Sequence, residues 1–427
     1  MTREPHPEYS RCGLPHVVSN TVRSLESLIS HPPDFYEHFN KINLLLNTEA
    51  YEADSSKKTL KTRNLKTGEQ RVLEYDSIIL ATGAEAALLP IKGVEKKGVF
   101  VVRILDDIAS MTKHLEASPL KTVVIVGAGL IGMEMAEALA SKGYRPVVVE
   151  LLPAILPAML DSDMASVITE KATEHGIRIL TGVTVDEIAG KEKVQSVMVK
   201  GERIETETVI IAARVKPNVE LAKQMGVAIG DTGGIKVNEY MLTSNDYVYA
   251  AGDCVETKDL VSGRNILIQL ATVAVRHGFV AGVNAAGGSD KFLGSTGVCT
   301  TKLFSYEISA AGLTTAFAEK LGLSSLSAKV TASTRLPYFP NAKNLMVKLL
   351  AEKKDGRLIG SQIIGEEGAA LRANLVALAL QMKLSVNEFG KIETCYAPPV
   401  APVWDPLTLA AQALQRKFEL AISKVGS

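Results

Sequence analysis

The chain has 427 residues, 46% of them hydrophobic and 22% charged, a balance that excludes a disordered or low-complexity protein. Lysine plus arginine equals aspartate plus glutamate at 47 each, so no net positive charge favours nucleic acid or an anionic membrane as partner. The first residues carry no apolar signal segment and no run of about eighteen apolar residues occurs, so a soluble, cytoplasmic protein is expected.

The earliest feature is Tyr9-Ser-Arg11-Cys12-Gly-Leu-Pro15-His16. It reads as a turn with Cys12 near the start of a short helix, where the helix dipole and Arg11 are expected to lower the thiol pKa. The competing reading is a small buried thiol without chemistry. The other cysteines, Cys254, Cys299 and Cys395, are scattered, and no Cys-x-x-Cys occurs. Neither a disulfide framework nor a metal site is therefore expected, and thiol chemistry has to start from a single cysteine. Cys254 and Cys395 read as packing residues.

From Leu44 to Ala81 the pattern is β, with a turn at Lys66-Thr-Gly-Glu69. A buried strand through Ile78, Ile79 and Leu80 then ends in the turn Ala81-Thr82-Gly83. Residues 93–120 read as a linker and a polar helix.

The strongest local pattern follows. Val123 to Val126 are apolar and β-branched, as a buried parallel strand requires. Next comes Gly127-Ala-Gly129-Leu-Ile-Gly132, and then Ile131, Met135, Ala138 and Leu139 at helical spacing. Strand, glycine turn and helix together form a dinucleotide site. Gly127 makes the tight turn, Gly129 admits a pyrophosphate, and Gly132 allows close helix–strand packing at a helix N-terminus that favours anions. Glu150 ends the next strand, where an acid bonds a ribose 2′-hydroxyl and repels a 2′-phosphate. Leu151 and Leu152 follow it, so NADH is expected over NADPH.

Helix, strand, meander and buried strand continue the unit to residue 242. Thereafter Tyr247-Val-Tyr-Ala-Ala251-Gly-Asp253 is a strand ending in a glycine and an acid suited to a polyol hydroxyl, and Gln269-Leu-Ala271-Thr-Val-Ala-Val-Arg-His-Gly opens a helix that runs to about Asn284. From Thr300 the character becomes α+β. A hairpin turns at Lys354-Asp-Gly-Arg357, and a helix carries Leu371, Leu375, Leu378 and Met382 on one face. Ser385 and Glu388 form a capping box. Asp405-Pro406 starts a last helix whose stripe of Leu407, Ala411, Leu414 and Phe418 reads equally as core or as subunit interface.

The order of these pieces, from Ser-x-Cys-Gly-Leu-Pro through Ala-Thr-Gly-Ala, the Gly127 turn and Ala-Ala-Gly-Asp to Tyr396-Ala-Pro-Pro and Trp404-Asp-Pro, resembles the single-cysteine branch of the flavin-dependent pyridine nucleotide–disulfide oxidoreductases. Within it the chain is most similar to coenzyme A disulfide reductases and the related NADH oxidases, NADH peroxidases and sulfur reductases. The resemblance implies an α/β fold of two nucleotide-binding three-layer domains, the first incomplete, plus a C-terminal α+β dimerisation domain. It implies an FAD-binding domain over 1–120 and 243–295, an NAD(P)H-binding domain over 121–242, and a dimerisation domain over 296–427.

Roles follow by position. Cys12 matches the redox-active cysteine beside the flavin. Ala81, Thr82, Gly83, Asp253 and Ala271 match FAD contacts, and Gly127, Gly129, Gly132 and Glu150 match the NAD(P)H site. Tyr338 and Tyr396 match tyrosines brought to the cysteine from the partner subunit, which gives the last helix's stripe weight as a homodimer interface. His16 stands where tyrosine is common. The family also begins with its own strand–Gly-x-Gly-x-x-Gly–helix unit for the ADP half of FAD, of which about thirty residues are not present here. A fragment or mis-started reading frame is expected, ahead of a shortened form with weakened flavin affinity.

The implied chemistry runs from NAD(P)H through FAD to Cys12, oxidised as a mixed disulfide with a small thiol such as coenzyme A, or as a sulfenic acid made by peroxide. A disulfide or polysulfide reductase is the leading reading, with Tyr338 and Tyr396 as acids toward the leaving thiolate. An oxidase or peroxidase acting on O2 or peroxide is its rival. A chain that keeps the NAD fold and the dimer domain but holds no flavin is the third reading.

Overall fold

Uninterrupted β-branched runs build one all-parallel sheet. In the computed structural model, which describes residues 1–87 and 89–423, its order is Val99–Val101, Thr208–Ile211, Thr122–Val126, Arg145–Glu150 and Arg178–Thr181. Val123, Val124 and Ile125 are wholly buried, as a strand covered on both faces requires. Against one face lie the helices Leu105–Ala117, Leu130–Ser141 and Ser162–Glu174, contributing among others Met111, Met135 and Ile168. An antiparallel meander, Val185–Ala189, Ser196–Val199 and Glu202–Glu205, covers the other through Ile188, Val197 and Val199.

The edge strand Val99–Val101 corrects the reading of 93–120 as linker and helix alone. Three residues are too few to show a period. What makes the strand is the turn before it. Gly98 has φ +100°, and a Cβ there would stand 2.4 Å from the Glu207 carbonyl oxygen.

The cysteine turn, the 81–83 turn and Asp253 lie outside this sheet. Ile78–Leu80 pairs in parallel with Val248–Ala250 in a two-stranded sheet. Leu80 is buried, but Ile79 is 37% exposed, so the strand is less buried than its apolar run suggested; each strand has a single neighbour and the pair offers little surface to cover. Helix Ala271–Ala285 packs on it, Val280 and Ala281 clustering with Ala251 and Tyr249, and leaves Val275 and Phe279 exposed. Antiparallel strands Thr48–Asp54, Thr59–Asn64 and Gln70–Glu74 form a separate sheet. Ala84–Ala86 pairs with Val215–Pro217, joining the 81–83 turn to the chain leaving the parallel sheet.

The C-terminal part is a five-stranded antiparallel sheet, ordered Cys299–Leu303, Tyr306–Gly312, Leu358–Gly365, Asn344–Glu352 and Ser325–Ser333. The Ser385 capping box forms, and Asp405 accepts the Leu407 N–H at 2.9 Å at the start of helix Pro406–Ser423. That helix corrects the interface expectation. Leu407, Ala411 and Leu414 are at most 2% exposed and pack into the core between helix and sheet, while Phe418, the fourth residue of the stripe, is half-buried against Gly356. The unpartnered apolar face belongs to helix Ala369–Gln381 and the residue after it, where Leu371, Leu378 and Met382 are exposed.

Side chains lock the antiparallel sheet to the parallel one. Lys348, buried, meets Asp161 at 2.8 Å and Asp163 at 2.6 Å at the start of helix Ser162–Glu174. Asp161 also accepts from Thr315 Oγ1 at 2.7 Å and Gln362 Nε2 at 2.8 Å. A buried cation held by two carboxylates is costly to leave half-paired.

Two stability outcomes follow. Leu414→Ala is expected to lower unfolding free energy by about 2–5 kcal/mol, the cost of a core cavity, in a denaturant melt; an unchanged melt would put the stripe on the surface. His277 sits 1% exposed against the Phe292 ring edge, and burial pulls its pKa from 6.5 down to about 4. Between those values the unfolded chain binds a proton there that the folded chain does not. Its contribution, roughly 3 kcal/mol, is present above pH 6.5 and lost as pH falls toward 4. His277→Phe should flatten that part of the stability–pH curve, and an unaltered slope would count against a neutral buried imidazole.

Candidate functional site

The Gly127 turn has the stereochemistry of a dinucleotide cradle. Gly127 has φ +105°, and a Cβ on it would stand 2.7 Å from the Ala213 Cα. A Cβ on Gly132 would lie 2.0 Å from the Gly127 carbonyl oxygen, so helix Leu130–Ser141 can seat only with glycine there. At Gly129, the N-cap, nothing lies within 4 Å of a Cβ. The backbone is closed behind the turn and open in front of it, which fits a pyrophosphate on the helix N-terminus.

Glu150 is buried. Its Oε2 accepts the Ala128 N–H at 2.7 Å and its Oε1 the Leu152 N–H at 2.8 Å. The acid thus braces the glycine turn against the next strand, while each oxygen keeps lone-pair capacity for a ribose hydroxyl. Beyond it opens a cavity of about 270 Å³ lined by Leu151, Gly182, Val183, Thr184, Asp186 and Lys200.

Cys12 lies in the 3-10 turn Arg11–Gly13, ahead of the five-residue helix Leu14–Val18. A Cβ on Gly13 would stand 2.3 Å from Leu28 Cδ2, so the Leu28 side chain packs directly over the backbone of this turn. The expected lowering of the thiol pKa is not what the surroundings produce. The thiol is exposed at the surface of the chain, so it is not the buried cysteine of the competing reading. The protein packed around it still pushes its pKa up by partial desolvation, the carboxylates of Glu134 and Asp253 add to this, and Arg103 opposes them. Arg11 has other partners: it pairs with Glu4 at 2.5 Å and donates to the Arg103 carbonyl at 3.1 Å.

Glu134 and Arg103 are the residues that the sequence reading missed. Glu134 sits on the glycine-turn helix, where burial raises its pKa and the Thr301 hydroxyl donates to it at 2.6 Å. Its neighbours Met133, Met135 and Ala136 are buried, and an acid among such residues was the available signal. Arg103 follows the short strand Val99–Val101. Its Nη2 donates to Asp253 at 2.8 Å and its Nε to the Ala84 carbonyl at 3.0 Å.

The 81–83 turn is held from behind by Asn218. Thr82 Oγ1 donates to the Asn218 carbonyl at 2.5 Å, and Asn218 returns Nδ2 to the Thr82 carbonyl at 3.0 Å and its N–H to the Gly83 carbonyl at 2.9 Å. In front, Gly83 has φ +64° with nothing within 4 Å of a Cβ. Asp253 lies in the turn Gly252–Cys254, and Gln269 Nε2 reaches its carbonyl at 3.3 Å, just before Ala271 opens a fifteen-residue helix. Open turn, acid and helix N-terminus suit the flavin-and-ribityl half of FAD. The sequence has no second Gly-x-Gly-x-x-Gly turn for its ADP half.

Cys12, Glu134, Arg103 and Asp253 thus come together from distant parts of the chain. Tyr338 and Tyr396 do not join them within one chain: they are 72% and 51% exposed, and no hydrogen bond among the described residues links either to Cys12. Cys254 is buried, donating weakly to Leu80 and Ala251 carbonyls. Cys395 is exposed, which corrects its reading as a packing residue. Among the described residues no His/Cys/Asp/Glu group is placed to hold a metal, and no helix is long and apolar enough to cross a membrane.

Residues 1–278 match the family model of pyridine nucleotide-disulphide oxidoreductases, and residues 298–406 match the model of their dimerisation domain. The chain is 38% identical to an NADH oxidase of Methanocaldococcus jannaschii, covering 98% of this chain and 93% of that protein. It is 36% identical to a CoA-dependent NAD(P)H sulfur oxidoreductase of Pyrococcus abyssi, covering 95% and 90%. The fold superposes on the solved NAD-dependent persulfide reductase of A. fulgidus with a TM-score of 0.94 at 33% identity, over 98% of this chain and 78% of the other.

The carboxylate of Glu134 facing Cys12 sets a measurable sign. Glu134→Gln is expected to lower the midpoint of Cys12 alkylation by about half a pH unit, roughly threefold faster reaction at pH 8. A midpoint that stays put would remove Glu134 from the thiol's surroundings.

Proposed function

The chain belongs to the pyridine nucleotide–disulphide oxidoreductase family, and from that premise we propose that it passes electrons from NAD(P)H to Cys12 and there reduces a disulfide or persulfide of coenzyme A. The observation that supports this most is the convergence on Cys12 of a residue from the NAD-side helix, Glu134, and one from the flavin-side turn, Asp253.

NAD(P)H would be held by the Gly127–Gly132 turn and Glu150, its adenosine end directed toward the cavity beside Leu151. FAD would be held by the Ala81–Gly83 turn, Asp253 and the helix that begins at Ala271, and when bound it supplies the two-electron relay between nicotinamide and sulfur. The Cys12 thiolate attacks a disulfide, forming one sulfur–sulfur bond to the substrate half and releasing the other half as a thiolate. Two electrons then cleave that mixed disulfide, restoring the Cys12 thiolate and freeing the second thiol. Because partial desolvation and two carboxylates hold the exposed Cys12 toward the thiol, an attacking thiolate depends on compensating positive charge.

Tyr338 and Tyr396, both exposed, fit a homodimer in which each chain's tyrosines approach the other's Cys12 as proton donors. Leu371, Leu378 and Met382 would be buried in that contact. A second reading is favoured by the name of the M. jannaschii relative: O2 or peroxide as acceptor, with Cys12 cycling through a sulfenate.

Two measurements test the proposal. With FAD added, the chain should consume NADH and release two thiols per coenzyme A disulfide. Cys12→Ser should lose that activity while NADH still bleaches the flavin, whereas full thiol release by Cys12→Ser would exclude Cys12 as the acceptor. Rates with disulfide, peroxide and O2 separate the two readings. NADH should exceed NADPH by about tenfold or more through repulsion of the 2′-phosphate at Glu150, and equal rates would refute that role.

A further inference from the structure

One arginine ties the flavin-side turns to the cysteine turn. Arg103 belongs to neither glycine turn nor to the cysteine motif, yet it is bonded to the neighbours of each functional element around the sulfur. Its Nε donates to the Ala84 carbonyl, next to the 81–83 turn. Its Nη2 forms an ion pair with Asp253 at 2.8 Å, both side chains about one-fifth exposed. Its own carbonyl receives Arg11, next to Cys12, at 3.1 Å. With Ile131 and Ala212 it also lines a small cavity at the start of the NAD-side helix. Asp107 fixes its backbone, accepting the N–H groups of Arg103 at 2.8 Å and Ile104 at 2.9 Å.

We propose that Arg103 is a positioning residue that holds the 81–84 turn and Asp253 in register with the cysteine turn, and supplies the positive charge facing the Cys12 sulfur. The assignment rests on Cys12 being the electron acceptor. A guanidinium suits this task and an ammonium does not, because a planar fork can bond a carbonyl and a carboxylate at once and stays charged throughout. The charged groups whose fields act on Cys12 are Glu134 from the NAD-side helix, Asp253 from the Gly252 turn, and Arg103 itself. Arg11, on the cysteine's own turn, is paired with Glu4, which also accepts the Tyr9 hydroxyl. Two carboxylates hold the proton on the sulfur and Arg103 draws it off. The ion pair also ties the acid that takes the ribityl hydroxyls to the charge that governs the thiol.

The test uses the full chain without flavin, so its outcome is separate from whether flavin binds. Iodoacetamide alkylation is followed against pH, with Cys12 distinguished from Cys254, Cys299 and Cys395 by peptide mass, and amide hydrogen exchange is followed over residues 82–86. Arg103→Met should raise the Cys12 midpoint by about one unit, a roughly tenfold slower reaction at fixed pH below it. Arg103→Lys should restore the midpoint while exchange over 82–86 stays faster than in the native chain, since one ammonium cannot replace the fork. Arg203→Gln, on a distant exposed strand, should change neither. An Arg103→Met midpoint equal to that of Arg203→Gln overturns the charge role, and native exchange in Arg103→Lys overturns the positioning role. If Arg103→Met does not fold, Arg103→Lys alone still decides the second. Shifted profiles in a chain that never reduces a disulfide would sink the proposed activity and leave Arg103 in place.

Discussion

The structure depends on one close approach. The Gly127 carbonyl oxygen occupies the space that any side chain on residue 132 would need, at 2.0 Å. Only with glycine there can helix Leu130–Ser141 settle against the parallel sheet. That depth sets where the rest of the helix points. Glu134 then reaches Thr301, and Glu137 accepts the Phe304 N–H at 2.8 Å at the tip of the C-terminal hairpin. The same helix turns Glu134 toward Cys12. The packing of one glycine thereby becomes a requirement of domain orientation, reinforced across the joint by Lys348 between Asp161 and Asp163.

Electrostatics at the sulfur follow from that packing. Glu134 and Asp253 come from different units, and each disfavours a thiolate as the units close on Cys12. A site holding a reactive thiolate at all times would be open to adventitious oxidation. One in which carboxylates and a guanidinium oppose each other responds to whatever binds beside them. The short helix after Cys12 adds little, since five residues build a weak dipole.

Several features were legible in the sequence because they rest on local rules. The Gly127 turn with strand and helix, the Ser385 capping box, the Asp405-Pro406 cap and the hairpin at Gly356 each carry their geometry in adjacent residues. Features set by what packs against a segment were not legible. Leu407, Ala411 and Leu414 form the same apolar stripe whether a helix faces a sheet or a partner chain, and here the sheet claims it. The exposed face of Leu371, Leu378 and Met382 was visible as a pattern but not as a surface. Arg11 looked like the cation beside Cys12, but Glu4 takes it, and the cation we propose instead lies 92 residues further on at Arg103. No spacing rule links positions brought together only by the junction of two units.

The central claim is that electrons entering at the Gly127 turn leave through Cys12. The most direct test is the mass of the Cys12 peptide from the full chain with FAD, treated anaerobically with coenzyme A disulfide, then with NADH, and alkylated at each stage. The account predicts a coenzyme A mixed disulfide on Cys12 after the first step and a free, alkylatable thiol after the second, with Cys254, Cys299 and Cys395 unchanged. A Cys12 that never carries the adduct, or keeps it after NADH while the flavin is reduced, would contradict it.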